Sequence, residues 1–266
     1  MKKLLSVLLD QMKALLTVSL AAAEEGTGSV RAGEIITFGQ YPQTAEGTDQ
    51  TPIDWFVLEV RDGKALVTSC YGLDSVRYNM EFEETTWETC SLRTWLNSDF
   101  LNAAFSPEEQ KAIPLLDVDN SAAQGYSEWK TDGGNNTRDR VFLLSYAEAN
   151  RYFGVTTENE DNIKARVAPT KYAADKGVWP NFGYRTEDGS CTGWWWLRSP
   201  GLNQNYAACV FNDGSLDSDV VNLKSACVRP ALWINLEFEI FRSENLQYGS
   251  ALQTEAEPFV FRNGIT

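Results

Sequence analysis

With 266 residues and a formal net charge of −14, the chain can form one large domain or two small ones, and its scattered Lys and Arg exclude a clustered basic face for nucleic acid or an anionic membrane. It has no histidine, which removes the commonest general base and excludes a Ser-His-Asp or Cys-His catalyst in this chain acting alone. Hydrophobic residues at 43%, with nine Trp and thirteen Phe, suffice for a full core.

Residues 1–25 predict an amphipathic helix. Leu5, Leu8, Met12, Leu15 and Ser19 fall at three- and four-residue spacing, while Asp10, Gln11 and Lys13 interrupt the apolar run. A helix of this kind assembles copies into a homo-oligomer or docks on another protein, and it is too short for membrane insertion. Lys2-Lys3 and Ala21-Ala22-Ala23 give an export signal as the alternative. A Gly- and Ser-rich linker over 26–33 leads into strands at 34–43, 53–60 and 64–69. Asp62-Gly63 predicts the hairpin turn between the last two.

A helix is expected over 91–98, with Leu92, Trp95 and Leu96 on one side and Arg93 and Asn97 off it. Ser106-Pro107-Glu108-Glu109 starts another helix, which Pro114 ends. The polar stretch 115–140 reads as an exposed insertion or long loop. A buried strand over 141–144 leads to Ser145, which caps a helix through Phe153 with Glu148 placed for a capping box. Residues 156–163 form an acidic loop. Residues 170–176 form a short helix ended by Gly177, and 178–193 a long loop.

The segment 194–236 is built for burial at both ends, so Trp195, Trp196, Leu197, Val228, Leu232 and Trp233 are the predicted core. Between them lie a strand over 207–211, the turn Asn212-Asp213-Gly214-Ser215, and a closing strand over 228–234 whose Pro230 suits an edge or a bulge. Arg198 and Arg229 each sit in an apolar motif and are expected to serve as structural ion pairs or loop clamps. The Asp-rich runs at 117–120 and 212–219 match no calcium loop and read as solvated turns, so no metal and no cofactor is expected. Five cysteines without a Cys-x-x-Cys pair read as small buried residues in a reducing compartment, with a disulfide framework as the alternative, in which the odd count leaves one free or paired between chains. Residues 237–266 form a C-terminal extension.

The motifs Trp195-Trp196-Leu197-Arg198-Ser199-Pro200-Gly201, Asp213-Gly214-Ser215 and Val228-Arg229-Pro230-Ala231-Leu232-Trp233-Ile234-Asn235-Leu236 carry a resemblance. So do Ile36 to Gln43, Pro52 to Leu58, Trp87 to Asn97, Val141 to Ser145 and Pro169 to Ala173. Together, over residues 34–236, they resemble bacterial C-type-lectin-like domains of the DUF6273-like group, and the variable proteins of diversity-generating retroelements. The resemblance implies an α+β, C-type-lectin-like fold of short twisted antiparallel strands, flanking helices and long loops. It also implies a hypervariable loop surface on a rigid scaffold, in which adenine-directed rewriting turns Asn codons into many residues. The calcium motifs of sugar-binding lectins, Glu-Pro-Asn and Trp-Asn-Asp, are absent, so the fold does not imply sugar binding.

The function implied is non-enzymatic recognition of a protein or peptide ligand, displayed on a cell or phage surface. The expected contacts form three clusters: Leu202, Asn203, Gln204, Asn205 and Tyr206; Phe211, Ser218, Asp219 and Val220; and Leu223, Lys224 and Ser225. Their mixed, aperiodic chemistry suits a protein epitope. Two other readings stand beside this one. The fold is shared with formylglycine-generating enzymes, although Cys209 and Cys227 do not reproduce their cysteine pair; the third reading is a structural surface or virion subunit.

Overall fold

The computed structural model describes residues 30–158 and 161–238, and within them Arg31–Asn235 form one compact unit. The helix expected over 1–25 and residues 239–266 of the C-terminal extension lie outside the described residues. The unit is α+β, and its sheets are small and antiparallel.

The largest sheet has five strands. β1 (Ile35–Tyr41) and β2 (Thr51–Arg61) place Phe38, Ile53, Trp55 and Val57 in the core. A tight turn joins β2 to β3 (Lys64–Ser69). It is made by Asp62 (φ 48°) and Gly63 (φ 68°), two successive left-handed residues, the pattern that matches the twist of a two-residue hairpin. The remaining strands are β6 (Val141–Phe142) and β12 (Ala231–Asn235), and the order across the sheet is β1-β2-β3-β12-β6. β3 has a strand on each side and is almost wholly buried, so both of its faces are covered as well. β12 pairs with β3 on one side and with β6 on the other. The closing strand is therefore interior, not an edge or a bulge. Pro230 stands just before it, where its missing N–H costs nothing. Its carbonyl accepts the Ser69 N–H at 3.0 Å and the Thr68 hydroxyl at 3.1 Å.

α1 (Ser91–Trp95), a π-helical turn over Leu96–Phe100 and α2 (Leu101–Ala104) run as one helical stretch. It buries Leu92, Leu96 and Phe100, while Trp95 is only half-buried. Asn97 reaches from it to the β6 edge: its Nδ2 donates to Val141 O at 2.8 Å, and its Oδ1 accepts Arg140 N–H at 2.9 Å. The helix start at Ser106 yields only the 3₁₀ turn Glu109–Ala112. The stretch 115–140 is less exposed than its polarity suggests. It contains the paired strands β4 (Leu116–Val118) and β5 (Thr137–Asp139), and Asp139 is buried, accepting Trp87 Nε1 at 3.0 Å and Arg93 Nε at 2.7 Å.

α3 (Tyr146–Phe153) opens with the capping box of Ser145 and Glu148 and ends on Gly154 in the left-handed conformation. α4 (Lys171–Lys176) is capped by Thr170 and stops at Gly177. The stretch 178–193 is a small arm made of β7 (Asn181–Arg185) and β8 (Cys191–Thr192), with Trp179 81% and Phe182 74% exposed. The last sheet is built of β9 (Trp195–Pro200), β10 (Tyr206–Val210) and β11 (Leu216–Val220), with β10 in the middle.

Neighbouring residues of a strand point to opposite faces, yet Trp195 and Trp196 are both fully buried, so β9 is covered on both sides. Each indole N–H finds a carbonyl, Trp195 on Ala165 at 3.0 Å and Trp196 on Val76 at 3.3 Å. Trp233 departs from the predicted core. It is half-buried, with the Arg61 guanidinium 4.8 Å above its ring. Among the described residues, no helix is long and apolar enough to cross a membrane.

Candidate functional site

The β9–β10 turn and the far end of β11 come together at one end of the three-stranded sheet. Antiparallel pairing sets Tyr206 opposite Val220 and Ala208 opposite Ser218. Leu202 N–H donates to Ser218 Oγ at 3.2 Å, Val221 N–H to Asn205 O at 3.1 Å, and Leu223 N–H to Val220 O at 3.1 Å. Gly201 allows this closeness: a Cβ there would stand 2.6 Å from Ser218 Cβ and 2.8 Å from Tyr206 Cβ. Leu202 and Asn203 are exposed; Asn205, Tyr206, Ser218, Asp219, Val220 and Leu223 are half-buried.

A second segment, absent from the predicted contacts, is stitched to this face. Asn79 N–H donates to Val221 O at 2.8 Å and Thr85 N–H to Gln204 O at 3.1 Å. The loop between them presents Met80 and Phe82, each 55% exposed, and the segment it is stitched to presents Leu202 at 57%. No periodicity marks Met80 and Phe82; the signal that could have found them is two large apolar residues in an otherwise acidic run, Glu81, Glu83 and Glu84.

Three predicted contacts are placed differently from the rest. Gln204 is a staple: Nε2 donates to Thr85 O at 3.1 Å and to Asp132 O at 2.9 Å, and Oε1 accepts Asp132 N–H at 2.9 Å. Phe211 lies at the other end of β10, roughly 17 Å of extended chain from Tyr206, where its ring stacks on Trp194 at 6.2 Å. Lys224 is exposed, but its carbonyl accepts Ser75 Oγ at 3.3 Å, so its backbone belongs to the contact with the 74–77 loop; neighbouring Ser225 is half-buried. The structure thus gathers the first cluster with Ser218, Asp219, Val220 and Leu223, and leaves Phe211 apart.

The two arginines diverge. Arg198, 3% exposed, is the expected clamp: both Nη atoms meet the Glu148 carboxylate, and they also donate to Leu143 O at 2.9 Å and Asp119 O at 3.0 Å. Arg229, 5% exposed, forms no ion pair among the described residues, which corrects the ion-pair alternative expected for it. Its guanidinium lies 4.8 Å from the Phe153 ring and 4.8 Å from the Trp195 ring. Its hydrogen bond runs from Nε to Ser69 O at 3.0 Å, and the buried Nη1 has no partner. Burial pulls the guanidinium down to about 10, against smaller opposing effects of Cys70 and Cys227.

All five cysteines are free thiols. Burial pushes Cys70 up to about 11 and both Cys90 and Cys227 up to about 12; it also raises Cys209, with Asp217 and Asp219 adding to the effect. Four of the five are thus protonated at neutral pH and are weak nucleophiles.

Fold and face together define a class: an α+β domain whose sheet carries a face of three sequence-distant loops fastened by backbone hydrogen bonds. The family model described as Domain of unknown function (DUF6273) matches residues 62–236, and the chain belongs to that family. No curated protein and no solved structure matches it.

Proposed function

We propose that this is a non-enzymatic binding protein of C-type-lectin-like architecture, in which the face formed by residues 79–85, 202–206 and 218–223 recognises a protein or peptide on a cell or phage surface. One observation carries the reading. The backbones of these three segments are held by one another and by Gln204, while the side chains of Leu202, Met80 and Phe82 remain more than half exposed. A fixed backbone under adaptable side chains is how recognition loops combine low ordering cost with tolerance to change. The elevated thiols and the absence of histidine favour binding over catalysis.

Selection of a displayed peptide library against the purified chain tests the face. Selected peptides should lose about 1–3 kcal/mol of affinity on Tyr206→Ala or Phe82→Ala, with the melting curve nearly unchanged. Peptides that bind both variants as tightly as the parent would place recognition elsewhere. The diversification part of the proposal is read from neighbouring DNA. A reverse transcriptase gene with a near-repeat differing at adenines, and aligned to codons 202–225, supports it; a locus without either removes it.

A further inference from the structure

We propose that the cavity lined by Arg229 is a binding site for a monocarboxylate with an apolar body, separate from the loop face and independent of its role. The cavity has a volume of about 390 Å³. Its walls include Ile35, Phe56, Phe153 and Val167, and Cys70 and Arg229 share it. A guanidinium that is 95% buried and, among the described residues, lacks a carboxylate leaves a desolvated charge and an unpartnered Nη1 donor. The Phe153 and Trp195 rings attract the charge through their faces but supply no hydrogen-bonding oxygen. A planar fork held this way matches the two oxygens of a carboxylate.

The surroundings select the ligand's charge and shape. Arg166, also on the wall, is engaged by Asp161 and by the Arg185 and Asp213 carbonyls. Lys164 lines the cavity, is exposed, and forms no ion pair among the described residues, so it adds attraction for an incoming anion. Glu187 and Asp188 are also in the lining and disfavour a multiply charged anion such as a phosphate dianion. The apolar wall calls for an alkyl or aryl body behind the carboxylate. A cavity of about 620 Å³ offers no such opening: its Arg198, Arg151 and Arg61 already face Glu148 and Glu59.

Calorimetric titration of the full chain with octanoate and 3-phenylpropionate, each beside its neutral amide, tests the site. The acids should bind at least about tenfold tighter than the amides, and Arg229→Met should remove that advantage. Ile163→Trp, at a position 41% exposed in the cavity wall, should obstruct the space without disturbing the core and weaken the acids by a similar factor. A saturating acid should also slow carbamidomethylation of Cys70 several-fold, read on the Cys70 peptide by mass spectrometry. A short apolar peptide with a free C-terminus, run beside its C-terminal amide, separates a chain terminus from a small free acid as the source of the carboxylate. Equal binding of acid and amide overturns the proposal, as does binding that survives Ile163→Trp, or an unprotected Cys70. If Arg229→Met does not fold, Ile163→Trp and the Cys70 measurement decide alone.

Discussion

The surroundings of Arg198 and those of Arg229 differ more than their motifs do. Both arginines lie in the apolar ends of one segment, and both are at least 95% buried. Around Arg198 the chain supplies a carboxylate and two carbonyls; around Arg229 it supplies two aromatic rings and one carbonyl. The first environment fastens α3 and the 119 loop to β9, and removing its carboxylate leaves a stranded charge. Each leaves one buried nitrogen without a partner among the described residues, Nε of Arg198 and Nη1 of Arg229, but the second holds its charge with no counter-charge, an arrangement that serves a ligand better than a fold.

Removing the carboxylate from the first environment is the severest test of the contrast. Glu148→Ala leaves Arg198 buried and unpaired and also breaks the Ser145 capping box, so unfolding in urea should show a loss of about 3–5 kcal/mol. The 27% exposure of the Glu148 side chain puts the expected value toward the lower end. A loss below about 1 kcal/mol would mean that the clamp is ornamental and the contrast empty.

The loop face offers an intermediate case, because its polar staple resembles Arg198 more than Arg229. Gln204→Ala removes three hydrogen bonds between the β9–β10 turn and the 85 and 132 backbones. The cost should be about 1–3 kcal/mol by thermal unfolding, whereas Asn203→Ala, at an exposed neighbour, should stay within about 0.5 kcal/mol. Equal effects at the two positions would show that Gln204 is an ordinary surface residue.

Much of this frame was legible in advance because it rests on local chemistry. Asp62-Gly63, the Ser145 box and the stop at Gly177 are decided within four residues, and each forms as its sequence requires. The burial of Trp195 and Trp196 followed from apolar density alone. Pairings over long separations were not legible. β12 lies inside the main sheet because β3 and β6 flank it, and neither pairing leaves a mark in residues 228–234. Likewise, spacing cannot say that Glu148 reaches Arg198 across 50 residues while no acid among the described residues pairs with Arg229. The aromatics of the β7–β8 arm read as ordinary loop residues, and only the fold shows that Trp179 and Phe182 stand clear of the core.

Replacing the second arginine should do far less than breaking the first. Holding Arg229 charged at neutral pH, with its guanidinium pulled from 12.5 to about 10, costs about 3 kcal/mol. The two ring contacts offset a comparable amount. Arg229→Met keeps the apolar packing and removes both effects, so stability should change by no more than about 1 kcal/mol. A loss as large as that of Glu148→Ala would make Arg229 a structural clamp after all.

The smallest expected effect is a pH profile at Cys70, and it reports whether the Arg229 cavity is dry. Burial pushes this thiol up to about 11; Arg229 pulls it back and Asp54 adds to the rise. A thiol raised on folding contributes stability that is fully present below its unfolded value, about 8.5, and is lost as pH climbs through about 11. The same shift keeps the thiolate scarce: at neutral pH, alkylation of Cys70 in the folded chain should run about a hundredfold slower than in urea. Its rate should keep rising past pH 9, and Arg229→Met should carry the profile further upward by removing the nearby positive charge. A folded-state profile that breaks near pH 8.5, as in the unfolded chain, would mean that water already solvates the thiol. Arg229 would then be solvated beside it, and the contrast with Arg198 would reduce to a difference in exposure.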